Sequence, residues 1–218
     1  MKAFWRRFSG VHDLTVPVLR ALQFVCFGLG LGLLAFYAAA QTDAAVGRWV
    51  AVKQIEGVGE PDQSLWNAQR IKDYQDSLTV DMGDPVGILR IPKISLAVPV
   101  FNDSSDLALN RGAGRIAGTA PLGTYGNAGI SGHRDGFFRG LKDLKVGDRI
   151  QVDTQAGSVS YRITDITIVE QKALQVLDDS FERTVTLVTC YPFYFVGHAP
   201  QRYIVRGVED DASPDTRT

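Results

Sequence analysis

The chain has 218 residues, 23 Lys and Arg against 24 Asp and Glu, three His, two Cys and 45% hydrophobic residues. That length allows one ordinary domain with additions or two very small ones, and the composition excludes a disulfide-stapled miniprotein, a collagen-like chain and a wholly disordered one. A formal net charge of −1 gives no reason to expect nucleic acid as a partner.

The first element is an apolar run from Ala21 to Ala40, broken only by Gln23. Twenty helical residues span roughly 30 Å, the thickness of a bilayer's hydrocarbon core. Lys2, Arg6, Arg7 and Arg20 precede the run against a single acid, Asp13, whereas Gln41, Thr42 and Asp43 follow it. Excess Lys and Arg stays in the cytoplasm, so residues 1–20 are expected inside and the remainder exported, periplasmic or extracellular. Ala38-Ala39-Ala40 also offers a signal-peptidase pattern. The apolar region of a cleaved signal peptide is about 7–15 residues, however, so an uncleaved single-pass anchor over 21–40 is the expectation.

Residues 41–84 read as a polar stalk with one amphipathic helix. Leu65, Ile71, Tyr74 and Leu78 recur at roughly helical spacing behind Ser64, a candidate N-cap, and the stripe is expected to pack on the domain or the membrane surface. From Val86 the texture changes to short β-rich runs punctuated by Gly and Pro. Strands are predicted over Val86–Ile91, Leu96–Phe101, Asn127–His133, Arg149–Thr154, Val159–Val169, Val185–Cys190 and Arg202–Val208, with a hairpin turn at Gln155-Ala156-Gly157. Short helices are predicted near Ser105–Asn110 and Phe137–Leu144. Seven or eight strands in this span suggest an all-β barrel or sandwich over 85–210, followed by a polar tail, 211–218.

The predicted topology separates the two cysteines. Cys26 falls inside the apolar run, where it reads as a small apolar side chain. Cys190 is a lone thiol in a compartment where thiols are normally paired or absent. It ends the run Val185-Thr186-Leu187-Val188-Thr189-Cys190, so a rigid strand would hold it at the edge of open space. A cysteine nucleophile needs an acid/base partner, because a thiol of pKa about 8.5 is mostly protonated near neutral pH. His12 is cytoplasmic on this topology and drops out. His133, after Gly129-Ile130-Ser131-Gly132, and His198, eight residues past Cys190, both remain open, since spacing alone does not choose between them. An oxyanion or substrate clamp is the third requirement, and Arg202 heads the strand after the Cys190 loop, with Arg134, Arg183 and Arg206 less constrained. One exported Cys and two His in no ligand spacing do not make a zinc site, and Asp135 and Glu170 read better as solvated surface than as cation ligands. No cofactor or metal is expected.

The string Thr186-Leu187-Val188-Thr189-Cys190 resembles the T-L-x-T-C signature of sortases, the membrane-anchored cysteine transpeptidases of bacteria. The resemblance extends from Ile91-Pro92-Lys93-Ile94 through Asn127–Phe138 to Tyr191–Val205, in the order His, Cys, Arg. The segment from Cys190-Tyr191-Pro192-Phe193 to Ala199-Pro200-Gln201-Arg202 looks most like class D and the related Gram-negative group. It implies an eight-stranded barrel with short helices, Cys190 as nucleophile, His133 as general acid/base and Arg202 as substrate or oxyanion clamp. It further implies protein substrates with a C-terminal sorting signal of the L-P-x-T-G type and an amine acceptor. The chain departs from class C, whose members carry a lid with an Asp-Pro-aromatic motif and a second membrane segment: Asp84-Pro85 is followed by Val86, and Glu209–Thr218 is polar. The calcium site of class A enzymes finds no matching ligands here. An L,D-transpeptidase, which places a His-Gly pair before its Cys where this chain has Leu187-Val188-Thr189, and a non-catalytic membrane-tethered β-barrel binding module are the alternatives.

Overall fold

The structure, a computed structural model, describes residues 20, 22–34, 61, 63–64, 66–194 and 199–210. The chain divides into two compact units, Met1–Val50 and Ala51–Thr218. In the first unit, residues 22–34 are helical (α1) and exposed, Cys26 among them. Ala21 and residues 35–40 of the expected membrane span lie outside the described residues. Among the described residues no helix is long and apolar enough to cross a membrane.

The second unit is a closed eight-stranded barrel. Its strands are β1 (Gly87–Ile91), β2 (Leu96–Phe101), β3 (Ala113–Arg115), β4 (Gly126–Ser131), β5 (Arg149–Thr154), β6 (Gly157–Glu170), β7 (Arg183–Tyr191) and β8 (Gln201–Glu209). Around the barrel they run β1-β2-β3-β4-β7-β8-β6-β5. Pairs β2/β3 and β4/β7 are parallel and the others antiparallel. The sequence reading lacked β3, whose three residues are too short for a period-2 pattern. Closure fills the interior with Leu89, Ile91, Val98, Val100, Ile130, Leu187 and Val205, all fully buried. Each such side chain contributes about 1.5–3 kcal/mol by leaving water.

Two helices lie outside the barrel wall. Helix α2 (Ala68–Leu78) begins later than expected: Asn67, not Ser64, is the N-cap, its side chain accepting from the Arg70 amide at 2.8 Å. An Asn side chain at that position satisfies one of the amides a helix start leaves orphaned. The expected apolar stripe is also incomplete, because Leu78 is exposed and Leu65 lies outside the described residues. Ser77 is the buried position of α2. Helix α3 (Asp106–Arg111) is capped by Ser105. The predicted helix near Phe137 is a 3₁₀ turn, Phe137–Asp143, and it drives Phe138 and Leu141 into the core.

The β6–β7 connection is fastened by one buried amide. Asn127 donates through Nδ2 to the carbonyls of Val176 and Asp178 at 3.1 and 3.0 Å, and its Oδ1 accepts from the Thr186 hydroxyl at 2.7 Å. Asn127→Ala would leave those buried groups unpaired. It is expected to lower stability by about 1–3 kcal/mol, read from the midpoint of a urea titration, with Asn127→Asp recovering only the Thr186 bond.

Candidate active site

Strand β7 is paired along both edges, with β4 and with β8, and its successive residues Thr184, Val185, Thr186 and Leu187 are all buried, so that stretch is covered on both faces. Val185 and Leu187 point into the core cluster. Alternation therefore puts Thr184, Thr186, Val188 and Cys190 on the outer face of the barrel. Cys190 is half-buried near the strand's end.

The register brings the other candidates to it. Cys190 stands directly opposite Arg202 across the β7/β8 ladder. Directly paired residues share a face, so the guanidinium belongs to the same outer surface as the thiol. On the other side, Ser131 pairs with Val188 in the parallel β4/β7 ladder. Two further bonds carry that register past the end of β4: the Gly132 amide donates to the Val188 carbonyl at 3.2 Å, and the Thr189 hydroxyl to the Gly132 carbonyl at 2.8 Å. His133 and Cys190 are the next residues on the two segments. Cys190 and Arg202 thus stand next to the ends of two paired strands, and His133 follows the third, β4, by two residues; neighbouring strand axes are about 4.8 Å apart.

Local sequence explains why the chain turns there. A Cβ on Gly132 would sit 2.7 Å from the Phe138 ring, so only glycine lets the buried ring pass beneath the His133 backbone. The His133 carbonyl then accepts from the amides of Gly136 and Phe138, both at 3.3 Å, closing the turn. Arg134 bridges this turn to the Cys190 loop, donating to the Pro192 carbonyl at 3.0 Å. Arg202 Nη1 donates to the carbonyls of Ala199 and Gln201 at 3.1 and 2.9 Å. Beyond them Tyr191, Phe193 and Tyr203 pack with centroids 5.0–6.2 Å apart and buttress the strand ends.

Burial and, after it, the positive charge of Arg70 hold the His133 imidazole below its ordinary value, while Asp135 and Asp106 oppose them. Its depressed pKa favours the neutral ring, the form able to take a thiol proton at neutral pH.

The remaining candidates lie elsewhere. Arg183 begins β7, seven residues or roughly 23 Å from Cys190, and pairs with Glu209 at 2.7 Å. Arg206 faces Thr186, four residues or roughly 13 Å along β8 from Arg202. The Asp135 carboxylate stands 3.7 Å from Arg70, and Glu170 accepts from Gln201 at 3.5 Å. His12 and His198 lie outside the described residues. Trp66, Arg70 and Asp106 approach the His133 turn without having been singled out in the sequence; an aromatic and an arginine four residues apart at a helix start carry no signal of what they will meet.

Comparison with known proteins identifies the family and the fold. A sortase domain model matches residues 89–210. The chain is 33% identical over 132 residues to sortase D of Bacillus subtilis (strain 168), covering 60% of this chain and 67% of that protein. It is 28% identical over 133 residues to sortase A of Bacillus anthracis, covering 59% and 61%. Among solved structures, a Clostridium perfringens sortase D5 transpeptidase superposes with a TM-score of 0.54 at 25% identity, over 68% of this chain and 92% of that one. Sortase C1 of Streptococcus agalactiae, in complex with MTSET, shares the fold with a TM-score of 0.56 at 24% identity, over 68% and 88%.

Proposed function

The chain belongs to the sortase family of cysteine transpeptidases, and from that premise we propose that Cys190, His133 and Arg202 carry the reaction. The observation that supports this most is the register: Cys190 pairs directly with Arg202 across β7/β8, and His133 follows β4, the other neighbour of β7, by two residues. The substrate is a protein with a C-terminal sorting signal of the L-P-x-T-G type. It lies extended along the outer face, where the half-buried Ser131 and Val188 accompany the site residues.

The Cys190 proton passes to His133, and Sγ attacks the scissile carbonyl. Arg202 faces the oxygen on which charge develops; Nη1 is already engaged by two carbonyls, which fixes the fork beside Cys190. The C–N bond breaks as His133 returns its proton to the leaving amine, and a thioester to Cys190 remains. An acceptor amine attacks that thioester, its proton goes to His133, and the departing thiolate regains it. The product is a new amide.

The segment 21–40 anchors this domain as a single-pass helix with the N-terminus inside and the barrel exported. Its apolarity, its basic flank and the exposed Leu22, Phe24 and Phe27 of α1 support that reading.

Incubation with an L-P-x-T-G peptide and an oligoglycine acceptor tests the proposal by product mass. The expected outcome is a peptide joined to the acceptor, replaced by the hydroxamate when hydroxylamine is supplied instead. Absence of cleavage across a panel of such peptides would overturn it.

A further inference from the structure

Helix α2 reaches the site from outside the barrel through polar groups rather than an apolar stripe. Trp66, just ahead of it, donates Nε1–H to the Asp135 carbonyl at 2.6 Å. Arg70, four residues on, stacks its guanidinium 4.4 Å from the Trp66 ring centroid and donates to Asn110. Its Nε lies 3.7 Å from the Asp135 carboxylate, and the side chain is only 15% exposed, so its charge is weakly screened. Arg139 donates to the same Asp135 carbonyl at 3.0 Å and to the Ser64 hydroxyl at 3.4 Å. Gly136 is the gap through which these groups meet. A Cβ there would lie 3.5 Å from the Trp66 ring, 3.8 Å from Arg70 Nη2 and 3.9 Å from the His133 Cβ.

We propose that Arg70 is a positioning residue for the transfer reaction, holding from α2 the turn that carries His133. The proposal rests on His133 being the acid/base group. One face of the turn is fixed by Trp66 and Arg139 at the Asp135 carbonyl. The other is fixed by Arg70 at the Asp135 carboxylate, which is thereby drawn toward α2 instead of toward the imidazole.

Cys190 and Arg202 face each other on β7 and β8; the charged groups acting on His133 are Arg70 from α2, Asp106 from α3 and Asp135 from its own turn, with Arg134 next to it in sequence. Loss of the Arg70 charge acts on them in one direction. It removes a repulsion, releases the Asp135 carboxylate to favour imidazolium, and loosens a cover that keeps water from the ring. All three raise the His133 pKa.

The test is a histidine titration by NMR in the full chain, with wild type, Arg70→Met and Arg70→Lys, and His133→Ala to assign the signal. His133 is expected to titrate below about 6.5 in wild type, to move up in Arg70→Met, and to fall between in Arg70→Lys. The acid limb of the kcat/KM profile moves the same way, and kcat falls more than KM rises, within the about 10²-fold that a 1 Å misplacement costs. An unmoved His133 titration and acid limb in Arg70→Met, even with lower thermal stability, would overturn the proposal and reduce Arg70 to a structural residue. Should Arg70→Met fail to fold, Arg70→Lys and Trp66→Phe, which deletes the donor to Asp135, carry the same readouts. Wild-type activity in His133→Ala would overturn the underlying acid/base reading as well. An inactive His133→Ala with an unmoved titration in the Arg70 variants would overturn only the role of Arg70.

Discussion

Cys190→Ala is expected to reduce cleavage of a sorting-signal peptide to the uncatalysed background, a loss of at least about 10⁴-fold, because the one other thiol of the sequence, Cys26, belongs to the segment 21–40 and not to the barrel. The fold should survive. Cys190 lies near the end of β7, past the buried stretch of Val185 and Leu187 that fills the barrel, so truncating the thiol removes little packing. Wild-type and variant thermal unfolding should therefore nearly coincide while activity disappears. Cys190→Ser is expected to be almost as inactive, since a hydroxyl has no accessible anion near neutral pH and the neighbouring imidazole would have to deprotonate a far weaker acid.

Arg202→Ala is expected to lower kcat by about 10²–10³-fold, the scale of removing a donor aimed at a developing oxyanion. Lysine should restore only a small part. Its point charge cannot both hold the Ala199 and Gln201 carbonyls and present a second arm to the substrate, which the planar guanidinium does. Arg206→Ala is the matched control, on the same strand and the same face but opposite Thr186, and should cost far less. Steady-state kinetics on the three variants separate the two positions. Equal losses at 202 and 206 would mean that general positive charge on β8, rather than the placement of one guanidinium beside Cys190, is what the reaction uses.

How much of this was legible in the sequence depends on the range of the interaction concerned. The run Val185–Cys190 announces a strand covered on both faces because it is continuously apolar or Thr-rich, and in β7 the successive residues Thr184 to Leu187 are buried while Val188 and Cys190 are only half-buried. The cross-strand neighbour of Cys190 was nearly legible as well: β7 and β8 are consecutive, and a short connection between antiparallel strands brings Arg202 back beside the thiol. The choice between His133 and His198 was not. Only the family resemblance favours His133: its neighbourhood is built by the parallel β4/β7 register, set more than fifty residues apart in sequence, and His198 lies outside the described residues. Strand β3 escaped because three residues, one of them Gly114, carry no alternation. The N-cap was misassigned to Ser64 because both Ser64 and Asn67 are capable caps, and local chemistry does not rank them once Trp66 is drawn to Asp135. Arg70 stands furthest from legibility. Its position on α2 is periodic and polar, which reads as solvent exposure, whereas the fold turns it toward Asn110 and Asp135.

The central claim is that acyl transfer passes through Cys190 with His133 and Arg202 at its sides. Intact-protein mass analysis after mixing with an L-P-x-T-G peptide, without acceptor, tests it most directly. The account predicts an added mass equal to the peptide's N-terminal fragment less water, mapped to Cys190 by digestion, discharged by hydroxylamine and absent from Cys190→Ala. Peptide cleavage that persists in Cys190→Ala, or an adduct mapped to another residue, would contradict it.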